Sequence, residues 1–371
     1  MFRNKMTIWH AGAVLLTVIV LMAMVGSSAK ADFTFGQPVD QTTVIPVLDP
    51  NWEIPFCFSA DGLEMYILSF RPEATGGCDI WVLRRDSIDA DWPPPEHLGP
   101  AVNSPNGAYA PYISRDGLEL HFGAERPGGY GSMDLYMTTR ASRNDPWGEA
   151  VNLGPKVNGP SFDAFSCVSP DGLELYFQSN RPGGLGGFDI YVSRRATAKD
   201  PWGDPENLGP VVNSEYDDVG LCLSPDGLLL FFQDLGGAVP RPGGYGRGDM
   251  WMTRRAGLSS PWGPPVNLGP NVNGPNFQSF PRVSPDGSLL YYCTDTDGVY
   301  DNWQAPILPT VDFNADKKVD LVDLVMLIDN WGTNKTVCDI GPMPWGDGKV
   351  DIEDLKVFMT YYEKENPPVK P

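Results

Sequence analysis

Histidine is almost missing from this 371-residue chain, which carries three. His10 lies in the N-terminal apolar region. His97 stands where sister segments carry Asn152, Asn207 and Asn267, and His121 where they carry Tyr66, Tyr176 and Tyr291, so both read as structural. Without a histidine base, Ser–His–Asp and Cys–His nucleophile systems are excluded, as are His-rich zinc sites. Positive charge is also scarce: 27 Lys and Arg face 47 Asp and Glu, a net charge of -20. So acidic a chain repels phosphate backbones, which excludes nucleic acid as a partner, and it suits calcium binding. The six cysteines have no spacing of a disulfide scaffold. Cys57, Cys167 and Cys222 each fall four residues before the Asp of a recurring turn, so they are expected to point alike, into packing, as buried thiols.

Long apolar runs are confined to the N-terminus. Arg3 and Lys5 precede an apolar stretch over residues 11–25, and Ala29-x-Ala31 follows. That is the pattern of a secretory signal peptide over residues 1–31, and its apolar part is shorter than a spanning helix. Cleavage would remove Arg3, Lys5 and Lys30 and leave no membrane span, so the chain is expected to be secreted or at the cell surface.

Glycine (41) and proline (37) are abundant, as expected of many short strands joined by turns. A Ser-x-Asp-Gly turn recurs at Asp61, Asp116, Asp171, Asp226 and Asp286, in steps of 55, 55, 55 and 60 residues. The longer step holds an insertion at residues 235–239. Arg-Pro follows each of the first four turns, at Arg71, Arg126, Arg181 and Arg241. Next come Asp-apolar-aromatic triplets at Asp79, Asp134, Asp189 and Asp249, then Trp92, Trp147, Trp202 and Trp262 ahead of "NLGP" or a similar phrase. In the third unit "FSCV", "LELYF", "DIYVS" and "GDPENL" are strand candidates, and Leu173, Leu175 and Phe177 alternate with Glu174, Tyr176 and Gln178. Four antiparallel strands per repeat make a propeller blade. The fifth unit lacks its last strand, and Phe35-Gly36 near the start resembles Trp147-Gly148. The prediction is an all-β five-bladed propeller over residues 32–305, with the N-terminal strand closing the last blade and so removing a sheet edge.

These phrases ("SNRPGG…DIY", "NLGP.VN") resemble the TolB-type, WD-like propeller family over about residues 33–305. The resemblance implies the fold and is weak for function. Residues present in every blade are expected to be structural. Arg181 and Asp189 would pair within their blade, as would their counterparts, and the four Trp would pack between blades. A site should break the symmetry. Eight residues before each turn Asp lie Glu53, Ala108, Asp163, Asp218 and Gln278, expected to face the central channel near its rim. Glu53, Asp163, Asp218 and Gln278 are candidate ligand contacts, with Tyr130 and Tyr245 on the "GGYG" loops. The insertion at 235–239 and residues 295–301 of blade five are asymmetric on the same, longer-loop face. Glu53, Asp163 and Asp218 would be the carboxylates of a glycan-active alternative.

After a linker at residues 306–311 the texture changes. Asp312, Asn314, Asp316, Asp320 and Asp323 occupy positions 1, 3, 5, 9 and 12 of an oxygen-donor loop, with the Lys318 carbonyl at 7. Lys317 replaces the usual Gly at 6, and Asp323 the usual Glu at 12. A helix should follow with Leu321, Leu324, Leu327, Ile328 and Trp331 on one face. A second loop offers Asp347, Lys349 by its carbonyl, Asp351 and Asp354. Its positions 1 and 3 count back to Met343 and Trp345, which cannot serve, unless "GPMP" bulges out and Asp339 takes the first place. Its helix should gather Leu355, Phe358, Met359 and Tyr362. The pair of units resembles the type I dockerin family over about residues 311–364, giving a small all-α domain at 312–366 and a tail at 367–371. That resemblance implies two calcium ions, a cohesin-type partner, and recognition through Leu321, Val322, Ile352 and Glu353. The function expected is a secreted, non-catalytic binding protein that docks in an extracellular polysaccharide-degrading complex, its propeller holding a glycan or a protein. A glycoside hydrolase and a structural envelope protein are the alternatives.

Overall fold

The computed structural model describes residues 33–49, 53–235, 241–296, 299–334 and 336–367. The expected signal peptide, residues 236–239 of the insertion, and Asp297 and Gly298 of blade five lie outside them. No helix among the described residues is long and apolar enough to cross a membrane.

Five antiparallel sheets follow one another. Blade one is Glu53–Phe58, Glu64–Ser69, Asp79–Arg84 and Glu96–His97; blade three is Asp163–Val168, Glu174–Ser179, Asp189–Arg194 and Glu206–Asn207. Blades two (Tyr109–Ile113 to Val151–Asn152) and four (Asp217–Leu223 to Val266–Asn267) repeat the order. Blade five has Phe277–Val283, Leu289–Thr296 and Val299–Pro309, and its outer strand is Phe33–Phe35 from the far end of the chain, with Phe33 opposite Pro309 and Phe35 opposite Ile307. The ring is therefore closed by the N-terminal strand. The preceding strand runs to Pro309, past the residue 305 boundary expected for the propeller.

The turns explain why the units fold locally. Ser169 donates its hydroxyl to Asp171 (2.6 Å) and accepts the Glu174 amide (2.9 Å), while Gly172 takes φ 73°. Ser59, Ser224 and Ser284 make the same pair of bonds. Only glycine adopts that φ without strain. Each innermost strand also carries a bulge, between Ala164 and Cys167 in blade three, with Phe165 at φ 55°. Ala110, Gly220 and Phe280 do the same, whereas blade one has Pro55, whose ring forbids a positive φ.

Polar side chains lock the blades. Asn213 brackets the backbone of Ile190, accepting its N–H and donating to its carbonyl, as Asn103, Asn158 and Asn273 do in their blades. The two non-signal histidines substitute like for like. His97 contacts Asp79 at 2.8 Å, as Asn152 contacts Asp134, and His121 contacts Glu119 at 3.3 Å, as Tyr176 contacts Glu174. Trp147 sits under Arg140 and against Tyr66 of blade one, and Trp262 under Arg255 and against Tyr176 of blade three. The same arginines cross between blades: Arg140 holds Glu64 of blade one through two nitrogens (2.9 and 2.5 Å), and Arg255 holds Glu174 of blade three at 2.6 Å.

Beyond Pro309 lie two short helices, α1 (Leu321–Asp329) and α2 (Ile352–Glu365). Asp320 and Asp351 cap them, each in a reciprocal capping box. Val311, Phe313, Leu327, Ile340, Val350 and Phe358 bury together as their core, with Phe313 stacked on Phe358. This small unit is pinned to the propeller by Trp345, which is fully buried. Its Nε1 donates to Asp226 of the blade-four turn (2.6 Å), its carbonyl accepts from Arg254 (2.7 Å), and its ring meets Phe33 of the closing strand. Gly287, in the blade-five turn, leaves room for it, since a Cβ there would lie 2.9 Å from the ring.

Candidate functional site: the central channel and the C-terminal loops

The positions expected at the channel rim are not open. Glu53, Asp163, Asp218 and Gln278 are all buried. Each accepts a backbone N–H four residues upstream: Asp49 to Glu53 (2.8 Å), Gly159 to Asp163 (2.7 Å), Ser214 to Asp218 (2.6 Å) and Gly274 to Gln278 (3.0 Å). The three carboxylates also hold the Arg-Pro arginines, Arg71 to Glu53 (2.7 Å), Arg181 to Asp163 (2.7 Å) and Arg241 to Asp218 (2.8 Å). Burial pushes Asp218 up to about 7 and raises Glu53, against the pull of those arginines. Their oxygens are engaged within the blade, not presented to a substrate.

This also corrects the expected partnership of Arg181 with Asp189. Asp189 instead accepts the amides of Leu185 and Gly186 and the Asn207 side chain, tying the Gly-rich loop to the outer strand. Tyr130 and Tyr245 stand on equivalent loops, 48% and 52% exposed, with their amides on Asp134 and Asp249.

The channel itself is lined by the residue four before each turn Asp: Cys57, Tyr112, Cys167, Cys222 and Arg282. The three cysteines do point alike, toward this axis. Cys57, Cys78, Cys167, Cys222 and Cys293 are free thiols. Burial pushes the Cys57 and Cys293 thiols up to about 12 and raises Cys222, so these sulfurs stay protonated near neutrality. Phe56, Phe165 and Phe280, from blades one, three and five, meet at centroid distances of 5.6 to 5.9 Å and close the channel on one side. Below them is a cavity of about 170 Å³ reaching the Ser-x-Asp-Gly turns at Ala60, Pro170, Pro225 and Pro285. Arg282 is the residue that sequence reasoning missed. It breaks the cysteine pattern at a position already singled out, and that asymmetry was the available signal.

In the C-terminal unit the two loops use one hydrogen-bond scheme. In the first, Asp312 accepts the amides of Asp316 (3.2 Å) and Lys317 (2.8 Å), Asp316 accepts that of Lys318, and buried Asp323 accepts those of Phe313, Asn314 and Asp320. In the second, Asp339 accepts the amides of Asp347 (2.8 Å) and Gly348 (2.7 Å), Asp347 accepts that of Lys349, and buried Asp354 accepts those of Ile340, Gly341 and Asp351. Asp339 thus does in loop two what Asp312 does in loop one, and the residues between Gly341 and Asp347 bulge out, carrying Trp345 to the propeller. Lys317 takes φ 70° where Gly348 takes 94°, so the missing glycine of loop one is replaced by a strained lysine. The donors are all oxygens, the type that suits a hard cation. Among the described residues, no three acidic, thiol or imidazole groups are already gathered into a metal cluster.

Helix α1 differs from expectation. Leu327 is buried and Leu324 packs on the core, but Leu321, Val322, Val325 and Ile328 are 53–61% exposed and Trp331 46%. The helix is apolar on its outer face too. Ile352 of the second unit is also exposed, and Glu353 is half-buried. Phe358, Leu355, Met359 and Tyr362 do gather on the core side of α2.

No protein-family model matches this chain, and no curated protein matches it. Solved structures similar to it include β-propellers. TolB from Acinetobacter baumannii is 17% identical with a TM-score of 0.43, covering 70% of this chain and 56% of its own. A putative TolB from Agrobacterium tumefaciens is 19% identical with a TM-score of 0.44, covering 77% of this chain and 86% of its own. An α-L-arabinofuranosidase from Lactobacillus brevis is 17% identical with a TM-score of 0.45, covering 70% and 91%.

Proposed function

We propose that this chain is a secreted, non-catalytic binding protein. Its propeller presents a surface to a glycan or protein, and its C-terminal unit binds calcium and docks to a cohesin-type module of an extracellular polysaccharide-degrading assembly. The observation that carries this is the matched pair of loops, in which Asp312 and Asp339, and Asp323 and Asp354, hold equivalent amides. Two oxygen-donor loops, each running into a capped helix, suit two hard cations. Calcium, when bound, would neutralise acidic side chains that otherwise repel one another. The residues to hold it are Asp312, Asn314, Asp316, Asp320 and Asp323, with Asp339, Asp347, Asp351 and Asp354 in the second loop, and the carbonyls of Lys318 and Lys349. The exposed apolar stripe of Leu321, Val322, Val325 and Ile328, with Ile352, supports a protein partner, because such a patch beside polar loops is costly to leave in water. Commitment of Glu53, Asp163 and Asp218 to Arg71, Arg181 and Arg241 favours binding over hydrolysis.

Calcium calorimetry on the full chain tests this. Two binding events are expected, with Asp312→Ala removing one and Asp339→Ala the other. Absence of heat, with unchanged melting temperature in calcium and in chelator, would refute it.

A further inference from the structure

The channel cavity holds a buried cation with no counter-ion. Arg282 is 5% exposed. Its Nη1 donates to the Pro281 carbonyl, and its guanidinium lies 3.7 Å from the centroid of Phe56. No carboxylate pairs with it among the described residues, and the titratable groups beside it are the thiols of Cys222, Cys57, Cys293 and Cys167, which burial keeps neutral and which therefore supply no negative charge. Elsewhere in this protein a buried arginine receives a carboxylate, as Arg140 receives Glu64 and Arg255 receives Glu174. A buried charge without a partner is expensive.

Two further observations converge on the same cavity. Ser166 lines it, is 5% exposed, and its hydroxyl has no hydrogen-bond partner. Buried hydroxyls are ordinarily satisfied. In addition, the cavity lining contains Arg282 and, at the turn side, exposed Arg115, but no Asp or Glu, in a chain with a net charge of -20. The remaining walls are mostly phenyl rings, thiols, prolines and aliphatic side chains, among them Phe56, Phe165, Cys167 and Leu221. The hydroxyls of Tyr112, Ser114 and Ser224 on the lining are already engaged, with Val168, Asp116 and Asp226.

We propose that this cavity is a binding site for a small organic carboxylate with an apolar body. The guanidinium fork matches a carboxylate in two-point contact, and Ser166 adds a third donor. The volume of about 170 Å³ accommodates a body the size of a benzene ring, since a dry cavity of about 150 Å³ binds benzene. The mostly apolar walls disfavour a strongly hydrated anion, so inorganic phosphate should compete poorly. This site is independent of the C-terminal loops and of the glycan-or-protein surface proposed above.

The test is calorimetry on the full chain with benzoate, its neutral isostere benzamide, and inorganic phosphate as probes. Benzoate should bind, with benzamide and phosphate each at least about tenfold weaker. Ser166→Ala, which removes one hydrogen bond to a charged group, should weaken benzoate about tenfold. Arg282→Gln should abolish binding. If Arg282→Gln does not fold, Ser166→Ala and the isostere comparison still decide. Absence of benzoate heat at millimolar concentration, equal binding of benzamide or phosphate, or unchanged affinity in Ser166→Ala would overturn the proposal.

Discussion

Glu64 connects blades one and two through Arg140 and also receives Arg84 (3.0 Å). Burial alone would raise its pKa, but the two arginines outweigh burial and hold it below its ordinary 4.5. Its contribution to stability is therefore complete above the unfolded-state value and is lost as pH falls through the lower folded-state value. Glu64→Gln leaves Arg140 buried without its anion, so it should destabilise the propeller by about 3 kcal/mol near neutrality. Calorimetric melting across pH should show that gap closing below pH 4.5, and a gap that stays constant into acid would contradict the assignment. Residue partnerships were the least legible level in the sequence. Arg181 pairs with Asp163, 18 residues away, rather than Asp189, because pairing depends on which side of the hairpin each chain faces. By contrast, the roles of His97 and His121 follow from repeat position alone, since each takes over the hydrogen bond of the residue it replaces.

At the scale of elements, turns and strands were legible because their signals are local. Ser-x-Asp-Gly needs a positive φ at its glycine, and period-two alternation marks the flanking strands. The closing strand was legible by what blade five lacked. The outward face of α1 was not, because an apolar stripe at helical spacing does not say which side the core takes, and this helix is apolar on both. The bulge that seats Trp345 was legible only as a break in the second loop's register, and its destination between blades four and five depends on tertiary packing. Trp345→Ala removes a fully buried side chain and its bond to Asp226, at a cost of about 3–5 kcal/mol. The C-terminal unit should then detach while the propeller persists. Limited proteolysis should show faster cleavage around residues 310–320 with an unchanged propeller fragment, and cleavage at the wild-type rate would contradict the pin.

For the whole molecule, the ring is braced by arginine bridges and by closure at Phe33–Phe35, and among the described residues two regions stand out from its repeat. One is the channel at Arg282, and the other is the C-terminal unit, whose apolar stripe stays in solvent while Trp345 anchors it. On the function proposed above, such an arrangement would present a binding body on a docking module. Titrating the full chain with a type I cohesin module in calcium and again in chelator tests the proposed docking most directly. The expected result is 1:1 binding in calcium, abolished by chelator, and weakened at least about a hundredfold by Leu321→Glu together with Val325→Glu, equivalent to about 2.7 kcal/mol. No binding in calcium across a panel of such modules, or binding indifferent to both substitutions, would contradict it.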